Sequence, residues 1–402
     1  MPRPIKEGGA AGLLVALLLG TAPAAADTTV HLGEALTLKP YVLLQADEAG
    51  FAQDRPGGQA AGFNPRRMRL GGRVEVADQV RLGFIWDFGH LPGADGTLFE
   101  AQASFIGLKP FTATAGVFKT NFSLESMQSA GATLMLERAS IVTIARNLAA
   151  GIRREGVQLQ ADGERFNASL ALTAGQAGPG RDGNQRAVVA RAAGLPVQTG
   201  ALTIHAGLSG EWVFRPASDA GRSAAISLSD GPELRIDDVP SGLSTGRIEA
   251  RSGGALGPEL GLGWRRLWLQ GEYIGLLVNR AAGSGAGTLR FDGWYAQAAY
   301  TLVGHPRRWD GSIGAWGAPR PAERFNPAAG AWGAVELGVR FSTADLNSLD
   351  VRGGRQRVLS AGVNWWPIEP VRLSLNVEHA DISGGRSPRR QDAVAGRAQL
   401  QF

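Results

Sequence analysis

Read as an extended segment, Arg67-Met68-Arg69-Leu70-Gly71-Gly72-Arg73 sets Arg67, Arg69 and Arg73 on one face and the apolar Met68 and Leu70 on the other. At a rise of about 3.4 Å per residue, these guanidinium groups stand roughly 7 to 13 Å apart. Such a row does no covalent chemistry; it attracts anions. Each guanidinium offers a planar fork that pairs bidentately with phosphate or carboxylate oxygens. More arginines gather in two long stretches: Arg138, Arg146, Arg153 and Arg154 within 120–155, and Arg215, Arg222, Arg235, Arg247 and Arg251 within 215–258. Weak sites met in sequence suit a path that must release what it binds.

Other chemistries lack their parts. The chain has no Cys among its 402 residues, which removes thiol catalysis, disulfide frameworks and Cys-zinc sites. His31, His90, His205, His305 and His379 lie in separate segments, and neither Gly-x-Ser-x-Gly nor His-Glu-x-x-His occurs. The glycines of 257–263 lack the trailing Lys and strand-to-helix setting of a phosphate loop. A net charge of +5 says little alone, because 4 of the 41 basic residues are Lys and the Arg bias tracks GC-rich coding.

The elements that must position these arginines are strands. Val371, Leu373, Leu375 and Val377 interleave with Arg372, Ser374, Asn376 and Glu378, and only an extended chain sorts such a sequence onto two faces. The same test predicts about 16 strands: Leu36–Ala46, Arg66–Val76, Val80–Phe88, Thr97–Ile106, Thr112–Lys119, Gly156–Ala161, Phe166–Thr173, Ala187–Ala193, Leu202–Trp212, Glu259–Trp264, Leu267–Leu276, Phe291–Leu302, Trp332–Thr343, Arg357–Trp365, Val371–His379 and Asp392–Phe402. Connections alternate between short (77–79, 108–111, 162–165, 265–266, 366–370) and long (47–65, 120–155, 215–258). The segment 304–331 is long where the count expects a short turn. It reads either as two hidden strands or as an elaborated turn.

Before the strands, residues 1–26 carry a charged start (Arg3, Lys6), an apolar run over 10–19 and Ala24-Ala25-Ala26, the layout of a cleaved secretory signal peptide. The run is too short to span a bilayer, and no later window supplies a membrane helix. The expected fold is all-β: one transmembrane up-and-down antiparallel β-barrel domain over 27–402, about 16 strands, in a bacterial outer membrane. A soluble sandwich, propeller or solenoid fits the regular count less well. Trp264, Trp268, Trp294, Trp332, Trp365 and Trp366 near strand ends read as interface girdles.

If apolar residues meet lipid, their neighbours meet the lumen; an Arg facing lipid at midplane would cost about 2 to 4 kcal/mol. Arg191, Arg340 and Arg397 share the polar faces with Glu75, Glu211, Glu272, Glu336 and Glu378. Two readings of this mixed wall stay open: charges paired for rigidity, or unpaired Arg at a constriction forming a selective path. The narrowing element is expected to be the 120–155 loop folded into the lumen, with 215–258 as a second candidate.

These residues resemble the phosphate-selective porin O and P family. The matching stretches are Phe63-Asn64-Pro65-Arg66-Arg67-Met68-Arg69-Leu70, Phe118-Lys119-Thr120-Asn121-Phe122-Ser123-Leu124-Glu125 leading to Leu136-Glu137-Arg138, Gly293-Trp294-Tyr295-Ala296-Gln297-Ala298-Ala299-Tyr300-Thr301-Leu302, and Gly362-Val363-Asn364-Trp365-Trp366. The resemblance implies a homotrimer of 16-stranded barrels, a constricting third extracellular loop and an elaborated periplasmic turn at 304–331. It also implies Arg66 and Arg67 as paired lumen arginines, Arg138 as the constriction-loop arginine and, by region, Arg222, Arg235 and Arg247 as fifth-loop arginines. With Arg69 and Arg73 these complete the expected anion path. Where the family's phosphate-selective members place Lys after Leu-Glu, this chain has Ser126, so general anion preference is better supported than strict phosphate selectivity.

The expected function is passive conduction of small anions (phosphate, polyphosphate, chloride), with outer-membrane lipid as surroundings, no cofactor, no metal and no nucleic acid. A non-specific diffusion porin is the near alternative. A barrel enzyme and a plugged structural barrel are the alternatives of another class.

Overall fold

The computed structural model describes residues 29–33, 35–53, 60–89, 96–149, 151–176, 183–218, 222–236, 242–285, 287–385 and 387–402. The expected leader, 1–26, and His90 lie outside them. The strands are β1 (Val30–Leu32), β2 (Leu36–Gln53), β3 (Gly62–Val76), β4 (Val80–Asp87), β5 (Thr97–Leu108), β6 (Phe111–Lys119), β7 (Arg153–Gly163), β8 (Phe166–Thr173), β9 (Arg186–Gln198), β10 (Leu202–Arg215), β11 (Ala225–Asp230), β12 (Leu243–Trp264), β13 (Leu267–Arg280), β14 (Thr288–Val303), β15 (Trp309–Asp310), β16 (Ala315–Trp316), β17 (Ala334–Ser348), β18 (Val351–Ile368), β19 (Val371–Ser383) and β20 (Arg389–Gln401). Two short helices, α1 (Leu124–Met127) and α2 (Ser140–Asn147), lie between β6 and β7.

All but β1, β11, β15 and β16 form a closed antiparallel barrel of 16 strands. Each barrel strand pairs with the next, and β2 meets β20 through Leu44 opposite Leu400 and Ala46 opposite Ala398. Closure leaves no sheet edge, so every strand finds backbone partners on both sides.

The molecule is inside-out. Leu208, Leu256, Leu260, Leu375 and Val394 are exposed on the outer wall, whereas Gln45, Arg191, Glu259, Glu336, Arg340 and Asn376 are buried. An Arg at position 260 would stand in the apolar band. Leu260→Arg is expected to destabilise the barrel by about 2 to 4 kcal/mol, read from denaturant titrations in lipid vesicles.

The strands run further than the alternation expects at the long-loop end. β2 reaches Gln53, β3 starts at Gly62, and the expected loop 215–258 holds β11 and the first 16 residues of β12. There the phase inverts. Ile248, Ala250, Leu289, Phe291, Ala344, Leu346, Ala380 and Ile382 point inward into an apolar core, so Arg247, Arg290, Asp292, Asp345, His379 and Asp381 point out. Above the lipid the wall's outer face meets water and its inner face meets the folded loop, so polarity follows the neighbour rather than the membrane rule. Between β14 and β17 the chain makes no further barrel strands; 304–333 is an elaborated turn that carries its own small hairpin, β15–β16. Trp264, Trp294 and Trp332 are exposed in belts, but Trp268 and Trp366 are buried in the lumen and leave the girdle.

Candidate functional site

Residues 120–149 fold into the barrel and are nearly all buried. α2 lays Ile141, Val142, Ile144 and Ala145 against the inverted patch of the wall, including Val213, Ile248, Ile274, Leu276 and Leu346. α1 is tied by its backbone: Glu272 on β13 accepts from Leu124 N at 2.9 Å, Glu125 N at 2.8 Å and Ser123 Oγ at 3.0 Å. Arginines of the wall and of the 304–333 turn cap the rest of the loop. Arg372 donates to the carbonyls of Gly131 (3.1 Å) and Thr133 (2.8 Å), Arg307 to Ala132 (2.7 Å), and Arg397 to Leu136 (2.7 Å) while pairing with Asp47 at 2.6 Å. Arg340 holds Glu125 at 3.0 Å, the carbonyl of Glu137 at 2.8 Å, and Glu233.

Two further segments press in beside this loop. From 216–242, Glu233 also accepts from Ser140 N at 2.8 Å, and Leu234 and Ile236 pack with Leu136, Ala49 and Ala395. From the opposite end, the 304–333 turn sends in Trp316, whose carbonyl takes Gln128 Nε2 at 3.2 Å, and Trp309, whose indole donates to His205 Nδ1 at 3.1 Å. Arg191 clamps the same turn through the carbonyls of Ile313 and Gly314. The wall is bare where the intruders touch it: a Cβ on Gly261 would meet Trp316 at 2.4 Å, and one on Gly338 would meet Leu134 at 2.5 Å. Along β8–β20, therefore, most lumen arginines are paired with carboxylates or carbonyls, and the inserted segments pack against the wall.

Accessible lumen remains against β2–β7. Arg73 and Lys39 keep about half of their side-chain surface, and Ser129, Arg138, Gln158 and Gln160 are partly or fully exposed. Descending β3 from the long-loop end, Arg66 and Arg67 share Glu137, at 2.7 and 2.9 Å. Arg69 then meets Asp87 at 2.7 Å, and Arg73 meets Glu100 at 3.5 Å. Phe99 lies between Arg69 and Arg153, whose guanidinium carbons sit 3.5 and 3.8 Å from its ring centre. That sandwich fixes two cations at one level of the passage.

Facing them are cations with weaker compensation. Lys119 Nζ donates to the carbonyls of Met127 (3.0 Å) and Gln128 (3.4 Å). Arg138 donates to the carbonyls of Glu125 (3.1 Å) and Gln128 (2.8 Å). Among the described residues, neither they nor Arg146 have a carboxylate within 4.0 Å. Buried donors of Arg146 (Nε) and Arg153 (Nε and Nη1) meet no acceptor. Burial pushes the Arg138 guanidinium below its ordinary value, Glu125 and Glu137 oppose this, and Arg69 and Arg66 add to it. Burial also pushes Arg146 well down, followed by repulsion from Arg138, Arg235 and Arg153. Guanidinium stays charged at any working pH, so these directions report buried cations, with other arginines crowded around Arg146.

The expected arginines thus divide. Arg66, Arg69, Arg73 and Arg138 converge on the accessible passage. Arg67 sits behind them, buried against Gln45 and Glu137. Arg235 pairs with Asp230 near the loop. Arg222 and Arg247 do not join: Arg222 is exposed, and Arg247 lies on the outer face of the inverted strand, donating to the Ser223 carbonyl. Arg222→Ala and Arg247→Ala are accordingly expected to leave the reversal potential unchanged in a planar bilayer. Arg146 and Arg153 belong to the arginines expected of the 120–155 loop; the residues that sequence reasoning passed over are Lys119 and Phe99. Lys119 and Arg153 stand opposite each other in the β6–β7 ladder, because a loop's first and last residues must meet where its flanking strands pair. That signal was available.

The model of the family described as phosphate-selective porin O and P matches residues 41–402. An uncharacterized protein of Caulobacter vibrioides is 26% identical over 86% of this chain and 69% of its own length. Among solved structures, an anion-selective porin from Comamonas acidovorans superposes with a TM-score of 0.58 at 13% identity, covering 91% of this chain and 100% of that one. OmpT, an outer membrane protein of Vibrio cholerae, superposes with 0.57 at 10% identity, covering 93% and 99%.

Proposed function

The chain belongs to the phosphate-selective porin O and P family and is an outer-membrane anion porin; we propose that it conducts phosphate, chloride and similar small anions passively along the β2–β7 side of its lumen. The observation that carries this reading is the group Lys119, Arg138, Arg146 and Arg153: among the described residues the first three have no carboxylate within 4.0 Å, and Arg153 has only Glu100, at 3.6 Å and shared with Arg73, with two donors left over. An anion entering from the long-loop end meets Arg66 and Arg138, passes Lys119, Arg153 and Arg69, and leaves past Arg73. Hydration is replaced by guanidinium donors a few at a time, so no single site is deep enough to trap it.

Lys119 bears on the ion preferred. The resemblance implies a Lys in the loop after Leu-Glu, where Ser126 stands; here an ammonium reaches the following turn from the wall, through Met127 and Gln128. That supports oxyanion binding despite Ser126. No covalent step is proposed: His205 is buried against Glu259 and Trp309, and His379 faces outward beside Asp392, so neither is assembled with a nucleophile. Export by a leader over 1–26 and assembly as a homotrimer complete the proposal. A trimer form is known for the Vibrio cholerae neighbour.

The test is the reversal potential of purified protein in a planar bilayer under a KCl gradient, with phosphate then added as competitor. The expected sign is anion-selective, with phosphate lowering chloride current. Selectivity at a fixed gradient ratio should shrink as total salt rises, since the screening length falls from about 10 Å at 0.1 M to about 3 Å at 1 M. A cation-selective potential would overturn the assignment.

A further inference from the structure

On the outer wall, where β10, β12, β13 and β14 run side by side, a hollow of about 570 Å³ opens away from the lumen. Its floor is glycine. Gly254 and Gly275 take outward positions on β12 and β13, and the exposed Trp212 and Tyr273 stand beside them. The Trp212 ring lies directly over Gly254, where a Cβ would come within 2.6 Å of it. At Gly275 the nearest atom to a Cβ is Tyr273 Cε1 at 3.6 Å, so that spot is open. The rim toward the long loops carries Arg290 and Asp292. Tyr273 Oη donates to Asp292 at 2.9 Å. Arg290 is exposed, and among the described residues its guanidinium has no hydrogen-bond or ion-pair partner.

Depth identifies the surroundings. Tyr273 pairs across the ladder with Trp294, and both are exposed outward, which is where aromatic residues mark the membrane-water boundary. Below them the wall is apolar; above them it is charged. A guanidinium over a hollow walled by Trp212, Leu256, Tyr273 and Leu277, polar at its rim, complements at that level a molecule with an anionic head and a greasy tail. A phosphate would take the Arg290 fork, and an acyl chain would fill the space over Gly275. Asp292 accepts from Tyr273 and makes no ion pair with Arg290.

We propose that this hollow binds one phosphate-bearing lipid of the extracellular leaflet, headgroup on Arg290 and chain between Trp212 and Tyr273. The site is independent of the conduction path, so either can fail without the other.

The probe is lipid A added to the purified protein in neutral detergent, with retained lipid counted by native mass spectrometry and phosphatidylcholine as comparison. Wild type should hold one lipid A in preference to phosphatidylcholine. Arg290→Ala should weaken retention about tenfold, the loss of one charge-assisted contact, and Gly275→Leu, which fills open space, should abolish it. Conductance and reversal potential should be unchanged in both variants, which verifies that they fold. Equal retention by wild type and both variants would overturn the proposal. So would a change of oligomeric state with lipid retention intact, which would assign this face to another subunit.

Discussion

Replacing Lys119, Arg138 and Arg153 together by Gln sharply lowers anion selectivity, and replacing them by Glu turns the reversal potential to the cation side. The argument is electrostatic. At about 6 Å and an effective dielectric near 20, one cation stabilises a passing monovalent anion by about 2 to 3 kcal/mol, on the order of a hundredfold in occupancy. The other cations on this level are partly cancelled: Arg69 by Asp87, Arg66 by Glu137, and Arg73 by Glu100. Lys119 and Arg138 have only carbonyl partners, and Arg153 reaches Glu100 at 3.6 Å with two donors left over. Removing the three leaves Arg66, Arg67, Arg69, Arg73 and Arg146 against Asp87, Glu100 and Glu137, so the local excess of positive charge falls from five to two, and Glu at the three positions reverses its sign. Gln keeps hydrogen-bonding capacity and length, so a selectivity change without loss of expression or conductance isolates charge. Single-channel reversal potentials across a KCl gradient read the result directly. An unchanged potential in the Gln variant would remove these residues from the filter.

Much of this site could be read before the structure, and the unread part has a physical cause. The face of Arg69 and Arg73 follows from period two alone, as do the polar faces of Arg340 and Arg397. Whether a lumen charge is free or spent does not follow. Arg340 finds Glu125 and Glu233, 215 and 107 residues away, and such pairing is set by how the loops fold rather than by spacing. The two readings of the mixed wall divide by place: ion pairs predominate along β8–β20, and cations short of a close carboxylate gather near β6 and β7. Arg247 joins the expected path only by region, as an arginine of the loop 215–258, because the alternation rule assumes one solvent outside the barrel throughout and so misses the strand that holds it. Above the bilayer that assumption fails, Ile248 and Ala250 take the inner face against α2, and Arg247 turns out to water. Lys119 was legible as one end of a hairpin-closed loop. Phe99 was not, since a strand Phe carries no mark of what stacks on it.

Arg340→Met loosens the constriction loop without opening the barrel. The guanidinium stands among Glu125, Glu233 and the Glu137 carbonyl, fully buried, and removing one partner from a buried ionic group typically costs about 3 to 5 kcal/mol because the other charges are left stranded. The barrel ladder does not depend on that contact; the inward fold of 120–149 and of 225–236 does. Conductance should therefore rise and anion selectivity fall, while the folded barrel still forms. The effect should depend on pH in a definite direction. Burial already holds the Glu125 carboxyl above its ordinary value, with Arg340 as the chief opposing charge. Without Arg340 its folded-state value rises further, and a raised carboxyl is tolerated protonated and destabilising once ionised. Loop release in Arg340→Met should thus be greatest at neutral and alkaline pH and recede on acidification. Combining it with Glu125→Gln and Glu233→Gln should restore the closed, low-conductance state, since a buried charge set removed whole costs far less than one removed in part. If conductance stays at the wild-type level in Arg340→Met at every pH, the apolar seat of α2, rather than the ionic anchor, holds the loop.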